Sequence, residues 1–125
     1  MPHITVEYTD NLKQAGNMKE LLQRINEILI DEGFPIGGIR SRAVALKDYV
    51  IADGTAEDDS FIHVTLKIGP GRTEEVKKVT CDRIFALLEN HFEKQFATRY
   101  IALSLELVEF MYPTYKKNNI HHRYR

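Results

Sequence analysis

Four groups of residues in this sequence combine type and spacing in ways that could do chemistry. They are a proline directly after Met1, the arginines Arg40 and Arg42, the run Gly69-Pro70-Gly71-Arg72, and five histidines. If Met1 is removed, Pro2 becomes a secondary amine with a free lone pair. An α-amino group starts near pKa ~7.7–8.0, and burial or neighbouring cations bring it down toward the range that suits a general base. The plainer alternative is that proline is tolerated as the first residue of a strand. Arg40 and Arg42 lie two apart in an extended segment, so alternation puts them on one face, followed there by Val44 and Leu46. A charged pair merging into an apolar face fits the wall of a carboxylate site, because the guanidinium fork makes two parallel hydrogen bonds to a carboxylate. A salt-bridged edge strand would look the same.

The run Gly69-Pro70-Gly71-Arg72 joins a strand to a helix that starts near Thr73. Its glycines can be there for the turn alone. In the other reading, Arg72 joins the unpaired NH groups at the helix start to complete a small anion site. The run is not a phosphate loop, which needs Gly-Lys-Ser or Gly-Lys-Thr after a longer glycine-rich stretch. His121 and His122 sit in a basic tail and His91 near a helix end, and no spacing resembles a metal site. His3 and His63 read as structural strand residues. Cys81 lies inside a helix with no histidine at a telling distance, so it is not read as a thiolate nucleophile. As the lone cysteine it excludes an intramolecular disulfide and a zinc site built on several thiolates, and it suits a reducing cytoplasm.

The elements that must position these groups follow a doubled plan. Residues 3–8 alternate strictly, with Ile4, Val6 and Tyr8 on one side and His3, Thr5 and Glu7 on the other. Residues 63–68 repeat that pattern at an offset of 60, including the His and the Thr. Each strand leads into a helix-period segment. In the first, Met18, Leu21, Leu22, Ile25, Ile28 and Leu29 form a stripe, Asn17 is the N-cap and Gly33 the stop. In the second, Thr73 is the cap, Glu74 and Glu75 suit the positive helix end, and Val76, Val79, Ile84, Leu87 and Leu88 make the stripe, with the helix running to about Phe96. Extended segments follow at 39–46 and 101–110. An apolar piece at 49–51, before the turn signal Asp53-Gly54, predicts an extra hairpin strand, and 53–60 is a linker. The predicted fold is α+β: a tandem βαβ repeat forming one domain, with pseudo-repeats at about 2–52 and 60–110, a four-stranded mixed sheet, both helices on one face, and an extended tail over 111–125. The bare sheet face predicts oligomerisation, and the basic tail either wraps a neighbouring subunit or stays mobile.

Composition narrows the function classes. With 125 residues, 43% of them hydrophobic and 28% charged, the chain can bury roughly two-thirds of the surface it exposes unfolded. A net charge of −1 argues against a dedicated nucleic-acid binder. The N-terminus lacks a basic segment backed by an apolar run, and no stretch approaches 18 apolar residues, so neither export nor membrane insertion is expected.

Taken together, Met1-Pro2, the doubled plan and several strings resemble the tautomerase superfamily over nearly the whole chain. Those strings are Gly38-Ile39-Arg40-Ser41-Arg42, Ala52-Asp53-Gly54, Phe61-Ile62-His63-Val64-Thr65-Leu66-Lys67-Ile68-Gly69-Pro70-Gly71-Arg72 and Lys117-Asn118-Asn119-Ile120-His121. Within it, the sequence is most similar to the isomerases of carboxylated 2-hydroxymuconates. The resemblance implies Pro2 as general base, Arg40 and Arg72 as carboxylate-binding arginines with Arg42 a weaker candidate, a homotrimer, and no cofactor or metal. It further implies a small unsaturated carboxylic acid as substrate, a dienol met in the breakdown of aromatic compounds such as homoprotocatechuate. With Met1 still attached, the Pro2 nitrogen is an amide and has no basic lone pair. Two other readings stand beside this one: a superfamily enzyme that hydrates or dehalogenates unsaturated acids, and a non-catalytic ferredoxin-like binding module.

Overall fold

The strict alternation of the first strand is realised in the computed structural model, which describes residues 1–14 and 16–124. Strand β1 (His3–Thr9) buries Ile4, Val6 and Tyr8 and leaves His3, Thr5 and Glu7 half-exposed. A short turn at Asp10–Leu12 leads to helix α1 (Met18–Asp31), which buries Leu21, Ile25 and Leu29 and packs Met18, Leu22 and Ile28 against them. Asn17 stands at the N-cap in a left-handed conformation, but its amide donates to Glu20 Oε2 at 2.7 Å and caps no backbone NH. Gly33 stops the helix at φ +92°, which lets the next NH, that of Phe34, donate back to Leu29 O at 3.0 Å.

Strand β2 (Arg40–Leu46) lies parallel to β1, while β3 (Ser60–Ile68) runs antiparallel to it. Helix α2 (Glu74–His91) opens as its sequence predicts, with Thr73 Oγ1 accepting from Val76 N at 3.2 Å. It ends sooner than the hydrophobic pattern predicts. Phe92 turns its ring fully into the core and leaves the helical conformation at φ −101°, ψ 16°, after which α3 (Glu93–Thr98) restarts the chain. The buried stripe of α2 also differs from the expected one. Thr80, Ile84 and Leu88 are fully buried, whereas Val76 and Leu87 are half-buried and Val79 is exposed. Strand β4 (Ile101–Glu109) pairs parallel with β3 and completes a sheet of order β2-β1-β3-β4.

In the central pair, Thr5 faces Thr65, Val6 faces Val64 and Ile4 faces Leu66, so the two strands are related by an approximate dyad through the threonine pair. The buried apolar residues of β1 and β3 point to the face that α1 and α2 cover. The opposite face carries Arg40, Arg42, His3, Thr5, His63 and Lys67, and no helix among the described residues covers it.

One expectation is corrected. No strand forms at 49–51; residues 47–59 are bends, turns and irregular chain. Ala52 and Gly54 both take left-handed conformations, Gly54 N closes a turn on Ile51 O, and Asp53 Oδ1 accepts from the backbone and hydroxyl of Thr55. The only apolar ring of that piece, Tyr49, packs edge-on against Phe61 and does not enter a ladder. The tail, for its part, folds back on its own chain. Asn118 Nδ2 donates to Gly37 O at 2.7 Å, and the turn Ile120–Tyr124 sits over Ile36–Gly38 so closely that a Cβ on Gly37 would meet His121 Cα at 2.8 Å. Arg125 lies outside the described residues.

Candidate active site

Strand register creates the site. His3 pairs with Arg40 on one side and Lys67 on the other, so the starts of β1 and β2 meet the ends of β3 and β4 at one edge of the sheet. Pro2 is buried there, immediately before β1, and its carbonyl accepts from Arg40 N at 3.0 Å. That bond extends the β1–β2 ladder by one rung and fixes Pro2 relative to Arg40. The Arg40 side chain is half-buried, with Nη1 3.5 Å from Gly37 O.

Arg72 reaches the same edge from the loop between β3 and α2, where Gly71 adopts φ +117°. Its guanidinium lies 3.7 Å from the centroid of the Phe34 ring, so a core side chain placed by the stop of α1 supports the flat face of the arginine. A cleft of about 500 Å³ opens here, lined among others by Met1, Gly69, Arg72, Phe110 and Lys116. Burial holds the N-terminal amine below its ordinary pKa, and the charges of Lys116, Arg72 and Arg40 lower it further. Among the described residues, none of these three cations forms an ion pair. The edge therefore carries unbalanced positive charge, as a site for a polyanion would.

Arg42 shares the open sheet face with Arg40 but lies two residues farther along β2, where its Nη1 is 3.0 Å from His3 Nδ1 and where it lines a separate depression with Lys67 and Phe110. A guanidinium only donates, so Nδ1 of His3 is the acceptor and the ring hydrogen resides on Nε2. Burial, then Arg42, Arg40, the N-terminus and Lys67 all push the His3 pKa down. His63 faces Glu7 farther along β1 and spends Nδ1 on Ser104 Oγ at 2.6 Å and Nε2 on Glu106 Oε1 at 3.3 Å. Burial and the Asp82 carboxylate raise the Cys81 thiol pKa, away from a reactive thiolate. His91 Nε2 binds Gly16 O, and His121 packs on Gly37.

Of the sequence-predicted residues, Pro2 and Arg40 are joined by a backbone hydrogen bond, Arg72 lines the cleft beside Met1, and Arg42 lies two residues along β2 on the open face. Lys116 and Phe34 were not singled out as site residues by sequence. The signal for the first was its lack of an acidic neighbour; for the second there was none, since an aromatic after a helix stop reads as core.

Comparison with known proteins fits this geometry. A family model described as 5-carboxymethyl-2-hydroxymuconate isomerase matches residues 2–124. The chain is 38% identical to the 5-carboxymethyl-2-hydroxymuconate Delta-isomerase of Escherichia coli over 97% of each chain. The crystal structure of a 5-carboxymethyl-2-hydroxymuconate isomerase from Deinococcus radiodurans R1 superposes with a TM-score of 0.94 at 51% identity, over 99% of this chain and 94% of that one. A fused 4-OT solved as a symmetric trimer shares the fold, with a TM-score of 0.60 at 16% identity over 86% of each chain.

Proposed function

The chain belongs to the 5-carboxymethyl-2-hydroxymuconate isomerase family, and we propose that Pro2, freed by removal of Met1, is the base with which it isomerises that dienol. The neutral proline nitrogen takes the proton from the hydroxyl at C2 and returns it to C5. The oxygen pair closes to a carbonyl at C2, the C2–C3 double bond moves to C3–C4, and the C4–C5 pair bonds the proton. The product is the conjugated 2-oxo isomer. Negative charge collects on the C2 oxygen and the adjacent C1 carboxylate in the intermediate, where the guanidinium groups of Arg40 and Arg72 stabilise it more than they stabilise the ground state. The same cations keep Pro2 unprotonated.

The observation that carries this reading is the half-buried N-terminus of Met1, beside which Lys116, Arg72 and Arg40 lower the amine pKa while, among the described residues, none of the three forms an ion pair. The test combines intact mass with a pH profile. For protein shown to lack Met1, kcat/KM rises through an apparent pKa below the ~7.7–8.0 of an ordinary α-amino group. Protein that retains Met1 lacks this limb and most of the activity. Pro2→Ala keeps a free but less constrained amine and slows the reaction without abolishing it. A fully Met1-capped preparation as active as the processed one would remove Pro2 from the mechanism.

The working form in this reading is a cytoplasmic homotrimer. The sheet face opposite the helices is uncovered, and the tail leaves Met111, Tyr112 and Tyr115 each more than three-quarters exposed, which is costly for a free surface and ordinary for an interface. The free thiol of Cys81 suits a reducing compartment. Among the described residues, no helix is long and apolar enough to cross a membrane.

A further inference from the structure

We propose that Lys116, delivered to the cleft by the folded-back tail, binds the third carboxylate of the substrate and selects a tricarboxylate over a dicarboxylate. This rests on the reading above, because it concerns the same cleft. The substrate named by the family carries carboxylates at both ends of its muconate chain and a third on the carboxymethyl arm. Arg40 and Arg72 supply two forks, which leaves one anion to be matched. An unpaired carboxylate in a partly closed cleft costs free energy. Lys116 is the remaining cation that lines the cleft with Met1 and Arg72. Lys67, the other cation near this edge, stands 4.9 Å over the Phe110 ring and lines the Arg42 depression.

The chemistry of the arm also favours a lysine. A carboxymethyl group turns freely about its methylene, and an ammonium on a flexible stem meets such a group as a point charge without the planar alignment a guanidinium needs. What makes this more than a charge on a loose tail is the pin two residues on. Asn118 donates to Gly37 O at 2.7 Å and accepts from Ile120 N at 2.7 Å, so both ends of its amide are committed. Gly37 O also receives the contact from Arg40 Nη1. One carbonyl thereby joins the strand arginine to the segment that carries Lys116, and His121 closes over Gly37 to hold the tail down.

The test compares processed wild type with Lys116→Met, Lys116→Arg and Asn118→Ala on two acids: 5-carboxymethyl-2-hydroxymuconate and 2-hydroxymuconate, which lacks the arm. Lys116→Met is expected to lower kcat/KM for the triacid by about tenfold or more, chiefly through KM, the size of one lost charge-assisted contact. Turnover of the diacid changes much less, so selectivity collapses. Lys116→Arg keeps most of the selectivity, and Asn118→Ala moves it in the same direction as Lys116→Met but less far. A second readout needs no turnover: NMR titration of the Pro2 nitrogen should show a higher pKa in Lys116→Met than in wild type, and no change in Lys94→Met on the exposed surface of α3. An unchanged triacid-to-diacid ratio, or equal losses on both acids, overturns the inference. Failure of the Pro2 reading would show itself separately, in the wild type, as the absence of a processing-dependent pH limb.

Discussion

Arg40 and Arg72 are brought close to the N-terminus by different physical routes, and their variants should fail differently. Arg40 belongs to a strand, and its backbone is locked to Pro2 by the 3.0 Å bond that starts the β1–β2 ladder. Arg72 comes from a loop and depends on the Phe34 ring beneath it. Each alanine variant removes a charge-assisted contact of roughly 1.5–3 kcal/mol, so kcat/KM for the triacid should fall about ten- to hundredfold. Arg40→Lys restores charge without the fork and recovers part of the rate; Arg72→Lys recovers less, because it also loses stacking on Phe34. Steady-state kinetics decides both, and wild-type kcat/KM in either alanine variant removes that arginine from the site. Arg42→Ala should matter less than either, since its guanidinium is spent on His3. For the same reason His3→Gln should leave the pH limb of kcat/KM in place: the acceptor nitrogen of His3 is already occupied, and the other carries the hydrogen. Loss of the limb in that variant would make His3 the base instead.

At the scale of elements, Thr80 is the local misfit of α2. It is fully buried in the core stripe, and among the described residues its hydroxyl has no hydrogen-bond partner. Valine has the same shape without the polar atom, so Thr80→Val should stabilise the chain by about 1 kcal/mol. Gly33→Ala should do the opposite by about 1–2 kcal/mol, because the left-handed stop of α1 strains any residue with a Cβ. Urea denaturation at fixed protein concentration measures both, and the opposite sign in either case overturns the corresponding argument. Thr80 also marks where sequence patterning ran out. Hydropathy favours Val79 over Thr80 for the core, yet helix geometry places Thr80 in line with Ile84 and Leu88 at four-residue spacing, and position prevailed over residue type. Period and turn chemistry made both strands of the central pair, the Thr73 cap and the Gly33 stop legible in advance. The break at Phe92 was not, because a buried aromatic is as compatible with a continuing helix as with an ending one. The absent strand at 49–51 failed for a related reason: the apolar residues were there, but Ala52 and Gly54 bend the chain locally, and no periodic signal reports a left-handed alanine. Among the candidate site residues, Pro2, Arg40, Arg42 and Arg72 stand out in the sequence by type, and only the family resemblance ranks Arg40 and Arg72 above Arg42. Lys116 acquires its place only through the fold-back of the tail, which depends on Gly37 having no Cβ, a contact between positions far apart in sequence.

For the whole molecule, the question is what covers the two surfaces that a lone chain leaves open. The sheet face opposite the helices carries Arg40, Arg42, His3 and Lys67 beside apolar residues such as the exposed Val44, a mixture that suits a subunit contact. The tail adds a second open surface. It is pinned to its own chain at Asn118 and His121, yet the stretch just before the pin presents Met111, Tyr112 and Tyr115 to solvent. A segment held in place while exposing its large side chains is preorganised to meet a partner, and tyrosines in that setting are typical interface anchors. The expected outcome in sedimentation is a species of about three times the chain mass of 14.5 kDa. Because association stabilises by mass action, Tm should also rise with protein concentration. The double variant Tyr112→Ser, Tyr115→Ser should dissociate at lower dilution than wild type while keeping its secondary structure, since neither residue belongs to the core or to the Asn118 pin. A stable monomer at micromolar concentration, with a Tm independent of dilution, would mean that the exposed tail serves no subunit contact.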